Sequence, residues 1–467
     1  MNNRHKIKTA QLAQQIRTFY DAKKPFRIFH GSTNSTRILS FRKSEMVDIS
    51  KFNEVIKVYP KSSTAIVESN VPMDKLVRAT LKHGLLPPIV MEFPGITVGG
   101  AIQGNGGESS SFKWGTFNQT FNWYELVLAN GEIVRASPSE NAELFYAVPG
   151  SAGTLGVLAS AEIQLVSARG HVELRYLPVN SFVQAKKVLE EETRKDHDFI
   201  DGIMFSATSG VIIVGKLTDT QRYPLQRFSR AQDEWYYLHV EKMLSANAKG
   251  WRETVPIRDY LFRYDRGAFW VGKFAFKIFD VPFTRKMRWL LDPILHTRKL
   301  YQALQESGAS QQHIVQDLVL PADKAVDFLN FSDRELGTYP LWLCPMKVDT
   351  SAPFQLNNLP VKSIINIGLW GDNIADYDEF VRTNKRIEAK VLELGGKKWS
   401  YAHSYFSEKE FWSMYDQKLY KRLRQKYHAT TLPTIYDKIT VKKRYPIERR
   451  KAVLRTIFGM ARLRIEK

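Results

Sequence analysis

The chain has 467 residues, with 43% hydrophobic residues and 68 Lys and Arg against 48 Asp and Glu, so the formal charge is 68 − 48 = +20. That apolar content excludes a natively disordered protein, and the length suits two large domains or about three average ones. The single cysteine, Cys344, excludes an internal disulfide and any zinc centre built from several thiolates, and fits a reducing, cytoplasmic compartment. No 18-residue apolar run and no signal-type N-terminus occurs, so the expectation is a protein neither secreted nor membrane-spanning. The sequons at Asn34, Asn118 and Asn330 are then read as chance matches. Nucleic acid, anionic lipid, a phosphorylated ligand and plain solubility compete to explain the positive charge. The lack of a zinc-finger, RNA-recognition or KH signature counts against nucleic acid.

Residues 3 to 24 read as a basic helix, with Ile7, Leu12, Ile16 and Phe19 at helical spacing. From there to about residue 168 the pattern turns to short strands: 26–29, 54–58, 64–68, 125–128 and 132–135. Asn130-Gly131 between the last two is a hairpin signal, and 72–83 and 140–146 read as short helices. After residue 170 strands at 202–205, 210–216, 341–345 and 363–368 alternate with longer amphipathic helices at 181–195 and 377–394. The expected architecture is α+β: a first domain over 1–168, a second over 169–415, and a basic helical segment over 416–467 returning to the first.

The most informative stretch runs from Phe93 to Ser111, where Gly95, Gly99, Gly100, Gly104, Gly106 and Gly107 fall within 13 residues. Glycines remove side chains where a backbone must approach a ligand, and they permit positive φ so that N–H groups can converge. Such a surface suits a pyrophosphate and a flat ring. No Gly-x-Gly-x-x-Gly opens a helix here, which argues against a Rossmann loop, while a glycine-rich connection without a ligand is the bland alternative. A second loop, His30 to Arg37, offers backbone amides, the hydroxyls of Ser32, Thr33, Ser35 and Thr36, the amide of Asn34 and the Arg37 guanidinium. Alone it reads as a polar turn; paired with the glycine stretch it makes a two-loop cradle for a dinucleotide.

A third segment, Glu143-Leu144-Phe145-Tyr146-Ala147-Val148-Pro149-Gly150-Ser151-Ala152-Gly153-Thr154-Leu155-Gly156, completes a pattern. With the Gly/Ser loop and Pro94-Gly95-Ile96-Thr97-Val98-Gly99-Gly100 it resembles the FAD-binding domain of the vanillyl-alcohol oxidase and p-cresol methylhydroxylase (PCMH) superfamily. Within that superfamily the sequence is similar to the Δ24-sterol reductases, through Glu108-Ser109-Ser110-Ser111, Tyr124 to Ala129, Pro138 to Asn141, Val315-Gln316-Asp317, Tyr339 to Pro345, Tyr401-Ala402, Glu410-Phe411-Trp412 and Tyr436-Asp437-Lys438. The resemblance implies a PCMH-type FAD-binding domain under an α+β cap. It also implies an FAD-dependent oxidoreductase that reduces an isolated double bond in the side chain of a sterol or related lipid, with NADPH as electron donor. An FAD-linked oxidase or dehydrogenase of an alcohol or sugar-lipid, and a reductase of a methylene fatty-acyl lipid, are the alternatives. The resemblance further implies FAD contacts from Gly31, Ser32, Thr33, Asn34, Ser35, Thr36 and Arg37, from Thr97, Val98, Gly99, Gly100, Ala101, Ile102, Gln103, Gly104, Asn105, Gly106, Gly107, Glu108, Ser109 and Ser110, and from Gly153, Gly156 and Val157. No His or Cys lies between Gly31 and Arg37, so the flavin is expected to be non-covalent. No metal is expected.

Reducing an isolated alkene requires a hydride at one carbon and a proton at the other, and protonation builds carbocation character that aromatic faces stabilise. In the segment 399–406, Tyr401, His403 and Tyr405 would share one face of a strand, and any of them could donate the proton; plain core packing is the alternative for each. Glu108 is expected to bond a ribose hydroxyl or a nearby amide, and Glu125 to hydrogen-bond structurally on a buried strand. Residues 261–290 carry nine aromatics and seven Lys or Arg against two Asp, which suits either a membrane-surface segment or a cap with buried aromatics. The tail 438–467 has 11 Lys or Arg and two Glu, with Val453, Leu454, Ile457, Phe458 and Ala461 as an apolar stripe. It reads as an amphipathic helix on the first domain or on a membrane.

Overall fold

Two antiparallel sheets organise the molecule. The computed structural model describes residues 3–31, 34–278, 280–449, 452, 455, 456 and 463–466. The first sheet has five strands in the order Val55–Tyr59, Thr64–Glu68, Val157–Gln164, Phe121–Val127, Ile133–Ala136. Asn130-Gly131 makes its last hairpin, with Gly131 at φ +83°, a conformation that side chains resist. Tyr124, Leu126, Ala161 and Ile163 from this sheet share a core with Leu76 of the helix Met73–Leu81. Tyr420, Leu423, Ile435 and Ile439 from near the C-terminus fill the same core.

The second sheet has eight strands, ordered Trp251–Pro256, His171–Val179, Ser209–Thr218, Phe199–Ser206, Leu341–Met346, Ile364–Asn373, His313–Pro321, Lys397–Lys398. Helices Phe182–Glu192, Ala325–Glu335 and Tyr377–Glu393 cover one face through Phe182, Leu189, Phe328, Phe380 and Ile387. The other face carries a cluster of large aromatics, among them Trp235, Tyr260, Phe269, Trp270, Trp342 and Trp370. The strand His313–Pro321 is buried along its whole length, so its alternating faces meet different cores: Ile314, Leu318 and Leu320 join the helix-covered side, Val315 the aromatic side.

Two expectations are corrected, and a third, left open between alternatives, is narrowed. The first helix is Asn3–Asp21, and Ile7 on it is 52% exposed. His5 and Thr9 are buried with Leu12 and Ile16 instead, because the His5 ring is held between Glu68 (2.7 Å) and Glu125 (2.6 Å) of the first sheet. Glu125 thereby has the structural hydrogen-bonding role expected of it. The basic C-terminal region is not one continuous helix: helices Gln417–Lys426 and Ile435–Ile439 are followed by irregular structure over 441–448, the described residues Arg449, Ala452, Arg455 and Thr456 are helical again, and Arg464–Glu466 pairs in parallel with Ser40–Arg42. The stripe Val453, Leu454, Ile457, Phe458 and Ala461 lies outside the described residues. Of the segment 261–290, Leu261, Tyr264, Phe269, Trp270 and Phe276 are core residues, while Trp289 and Leu290 are exposed on the helix Arg285–Leu291.

Candidate active site

The two glycine-bearing regions and the aromatic face of the large sheet enclose one cavity of about 480 Å³. Its wall includes Asn34, Ser35, Thr36 and Arg37 of the first loop, Thr97, Gly99, Gly100, Ala101, Gln103, Gly104, Gly106 and Gly107 of the second, and Gly153 of the third. Ser32 and Thr33 lie outside the described residues. Gly31, Val98, Ile102, Asn105, Glu108, Ser109, Ser110, Gly156 and Val157 do not line the cavity. Val98 and Ile102 point into the core of the first sheet.

The glycines of the second loop work by close approach and not by positive φ. Thr97 caps the short helix Val98–Gln103 by accepting from the Gly100 amide at 3.2 Å. A Cβ on Gly99 would stand 2.9 Å from the Ser69 carbonyl oxygen, and one on Gly107 would stand 2.9 Å from Cε of Met346. Positive φ falls in the third segment, at Gly150 and Gly153, with the non-glycine Ala152 between them. Gln103 ties the two segments together, its Oε1 accepting from the Gly153 amide and the Ser151 hydroxyl, both at 2.9 Å.

Three cations border this glycine-lined end. The guanidinium of Arg27 donates to the Ser40 carbonyl at 3.0 Å, that of Arg37 to the Ser400 and Ala402 carbonyls, and the Lys438 ammonium to the Ala152 carbonyl. Among the described residues none of the three has a carboxylate partner within ion-pair distance. Burial, reinforced by Arg27 and Arg37, pushes Lys438 down to about 7, and burial with Arg27 pushes Arg37 down to about 9. Nearby, His30 Nδ1, Ser69 Oγ, Asn70 Oδ1 and Arg37 Nε are buried without a hydrogen-bond partner although all four residues line the cavity. Buried polar atoms are rarely left this way in a finished structure, so this end is built for a polar, anionic ligand.

The other end is lined by Phe93, Phe269, Phe274, Tyr301, Trp342, Trp370 and Tyr401. Two carboxyl groups lie among them. Asp317 accepts from the Tyr401 hydroxyl and, at 3.1 Å, from Asn366; burial raises it to about 6 against the pull of those bonds. Burial raises Glu92 further, to about 8, with the charge of Glu108 next in effect. Burial, and then Asp317, hold the Tyr401 phenol well above its usual range. Tyr401 was legible in the sequence; Asp317 stands in a stretch that carries the family resemblance but nothing that marks it as a site residue, and Glu92, Asn366 and Trp370 carry no local signal of a site.

The segment around Tyr401 is not the strand that would give it a shared face with His403 and Tyr405. It is a turn that joins three parts of the protein. The Trp399 amide donates to the Asp317 carbonyl and its indole to the Asn105 carbonyl, both at 3.0 Å. The Tyr401 carbonyl accepts from the Thr36 amide at 3.2 Å and from the Ser35 hydroxyl at 2.8 Å. His403 and Tyr405 fall outside the cavity wall: their rings stack 6.4 Å apart, and both meet Phe380 under the large sheet. Burial drives His403 down to about 3.

Glu108 meets the second of its two expected partners, the neighbouring amide of Ser109, and gains a third that the sequence does not announce. It accepts from Ser109 and from Arg263 at 2.9 Å, and Arg263 donates in turn to Asp201 at 2.8 Å. All three side chains are buried, and the Trp342 indole and Tyr264 hydroxyl also donate to Asp201. Glu108 therefore anchors the end of the glycine stretch to the large sheet and takes no place in the cavity.

Residues 8–137 match a family model described as FAD binding domain. Together with the orphaned polar atoms, the glycine contacts and the cations, that match makes the protein an FAD-linked oxidoreductase of the PCMH type, and the residues present fit the dinucleotide. The Delta(24)-sterol reductase of Homo sapiens is 33% identical over 414 residues, covering 87% of this chain and 80% of that protein. That of Arabidopsis thaliana is 31% identical over 84% and 76%, and a Delta(24)-sterol reductase homologue of Caenorhabditis elegans is 27% identical over 94% and 88%. The chain belongs to the Delta(24)-sterol reductase family.

Proposed function

We propose that the protein reduces an isolated side-chain double bond of a sterol or closely related lipid, with NADPH reducing a non-covalently held flavin. The observation that carries this reading is the continuity of the cavity from an anion-binding, glycine-lined end to an aromatic end holding a protonatable pair. Reduced FAD, when bound, supplies the hydride. The protein's own part is to bind, orient and protonate. Gly99, Gly100, Gly104 and Gly153 would give the flavin dinucleotide backbone access, and Arg27, Arg37 and Lys438 would neutralise its phosphates.

Tyr401 is the group we assign to deliver the proton at the alkene carbon, with Asp317 restoring it. A phenol this far above its usual range is a poor acid by itself. Protonated Asp317 corrects that: as Tyr401 gives its proton to carbon it takes the proton of Asp317, so no phenolate is left in an apolar site. The faces of Trp342, Trp370 and Phe269 stabilise the positive charge that develops at the tertiary carbon. The two core aromatics His403 and Tyr405 have no assigned part.

Among the described residues no helix is long and apolar enough to cross a membrane. Access to lipid through a bilayer surface is supported by Trp289 and Leu290, 54% and 57% exposed beside Arg285 and Lys286 on one short helix. The reaction is tested by anaerobic addition of NADPH to the yellow holoenzyme, followed by a Δ24 sterol. Bleaching of the flavin and its sterol-dependent return with formation of the saturated product are expected. Bleaching by an alcohol substrate and not by NADPH would overturn the reductase reading in favour of an alcohol dehydrogenase.

A further inference from the structure

The strand His313–Pro321 runs along the cavity wall and turns His313, Val315 and Asp317 into it. At about 3.3 Å of rise per residue, His313 stands roughly 13 Å along the strand from Asp317. His313 is 4% exposed, its Nδ1 has no hydrogen-bond partner, and its ring lies 6.0 Å from that of Phe274. Arg449 lines the same cavity from the C-terminal segment. One end of its guanidinium donates to Gln312, next to His313, while its Nε is buried and unpartnered. Val271, Ala275, Leu300 and Leu304 contribute apolar wall that cannot satisfy either atom.

Burial, helped by the charge of Arg449, holds His313 neutral, down to about 4. A neutral imidazole can accept at Nδ1, whereas the Arg449 Nε–H can only donate. The ligand group that gives a hydrogen to one and a lone pair to the other is a hydroxyl. A separation of roughly 13 Å along the strand, extended by the side chains at its two ends, is of the order of the distance from a sterol's ring hydroxyl to the double bond in its side chain. Resting on the reading of the cavity as a sterol site, we propose that His313 and Arg449 form the recognition site for the ring hydroxyl at the end of the sterol remote from its reactive double bond, and thereby set which lipids are accepted.

The test uses FAD-loaded protein, a Δ24 sterol with a free 3-hydroxyl and its 3-deoxy analogue. Binding is read from quenching of tryptophan fluorescence, since Trp342 and Trp370 line the cavity, and flavin occupancy from the visible spectrum. The unaltered protein is expected to prefer the hydroxylated sterol by roughly 10- to 100-fold. His313→Phe and Arg449→Met should each reduce that preference to within a few fold at unchanged flavin occupancy, and His313→Asn should restore part of it. Preference retained in both variants, or no preference in the unaltered protein, overturns the proposal. Loss of flavin in His313→Phe and His313→Asn alike also overturns it and assigns the pair to the cofactor. A protein that shows the His313-dependent preference yet reduces neither sterol keeps the subsite and overturns the reaction; one that reduces both equally does the reverse.

Discussion

Tyr401 and Asp317, 84 positions apart in the sequence, meet through a hydrogen bond from phenol to carboxylate on the wall of the cavity. The pair joins a turn to a fully buried strand, and it brings a carboxyl group raised to about 6 against an aromatic surface. An acid that acts through this pair must be protonated at Asp317 before turnover.

Turnover under saturating sterol should therefore fall as pH rises through about 6. Tyr401→Phe and Asp317→Asn are expected to lower kcat by roughly 10² to 10⁴ while retaining flavin. Glu92→Gln provides the control, because burial puts Glu92 near 8: the limb near 6 must survive in it and disappear in Asp317→Asn. A limb near 8 that is abolished by Glu92→Gln would transfer the acid role to Glu92.

Lys438 is held at about 7 by burial and by Arg27 and Arg37. An anion bound there favours the protonated amine, so FAD affinity of the flavin-free protein should weaken as pH rises above about 7. Lys438→Met should weaken it by roughly 10- to 100-fold at pH 6 and flatten the pH dependence. Flavin fluorescence titrations between pH 6 and 9 measure both effects, and equal affinities for the variant and parent at pH 6 would exclude Lys438 from the site.

Arg263→Met should destabilise the protein by about 3–5 kcal/mol, because Glu108 and Asp201 lose their shared buried counter-charge. Adding Glu108→Gln and Asp201→Asn should recover a large part of that loss in thermal or denaturant unfolding. Failure of the triple variant to improve on the single one would mean that shape and not charge holds this junction.

His5 makes a pH-dependent contribution to stability. Its pKa is raised to about 9: burial acts against the charged form, and bonds to Glu125 and Glu68 outweigh it. The contribution is complete below the ordinary value of 6.5 and is lost as pH rises through about 9. His5→Leu should cost about 3 kcal/mol at pH 6 and much less at pH 10. Melting curves across that range would refute the assignment if the difference were constant.

The glycine stretch, the first loop and Tyr401 were legible because their chemistry is local: glycine spacing and a polar loop describe a cradle wherever the fold places it. Asp317 and His313 were not, because polar residues in the run His313-Ile314-Val315-Gln316-Asp317-Leu318-Val319-Leu320-Pro321 mask it as a buried strand, and only pairing with Ile364–Asn373 decides which residues face the cavity. The shared face expected for Tyr401, His403 and Tyr405 failed for a related reason. Backbone partners at Thr36, Asp317 and Val441 bend that segment out of an extended path. Ile7 is exposed because the helical stripe through Leu12 and Ile16 passes through Thr9 and His5, and two distant carboxylates let a histidine occupy that buried place. Arg27 and Lys438 reach the same cavity from the two ends of the sequence, a convergence that spacing does not encode.

The turn Trp399–Ala402 bonds to the first loop through Thr36, Ser35 and Arg37, to the glycine stretch through Asn105, and to the strand of Asp317. Ligation at one of these parts is thus thermodynamically linked to order in the others. Occupancy of the dinucleotide cradle would tighten the geometry of the acid, and a lipid held against that acid would slow the cofactor's escape. Sterol and flavin should raise each other's affinity by the same factor, so the protein would retain its electron carrier best while it is working.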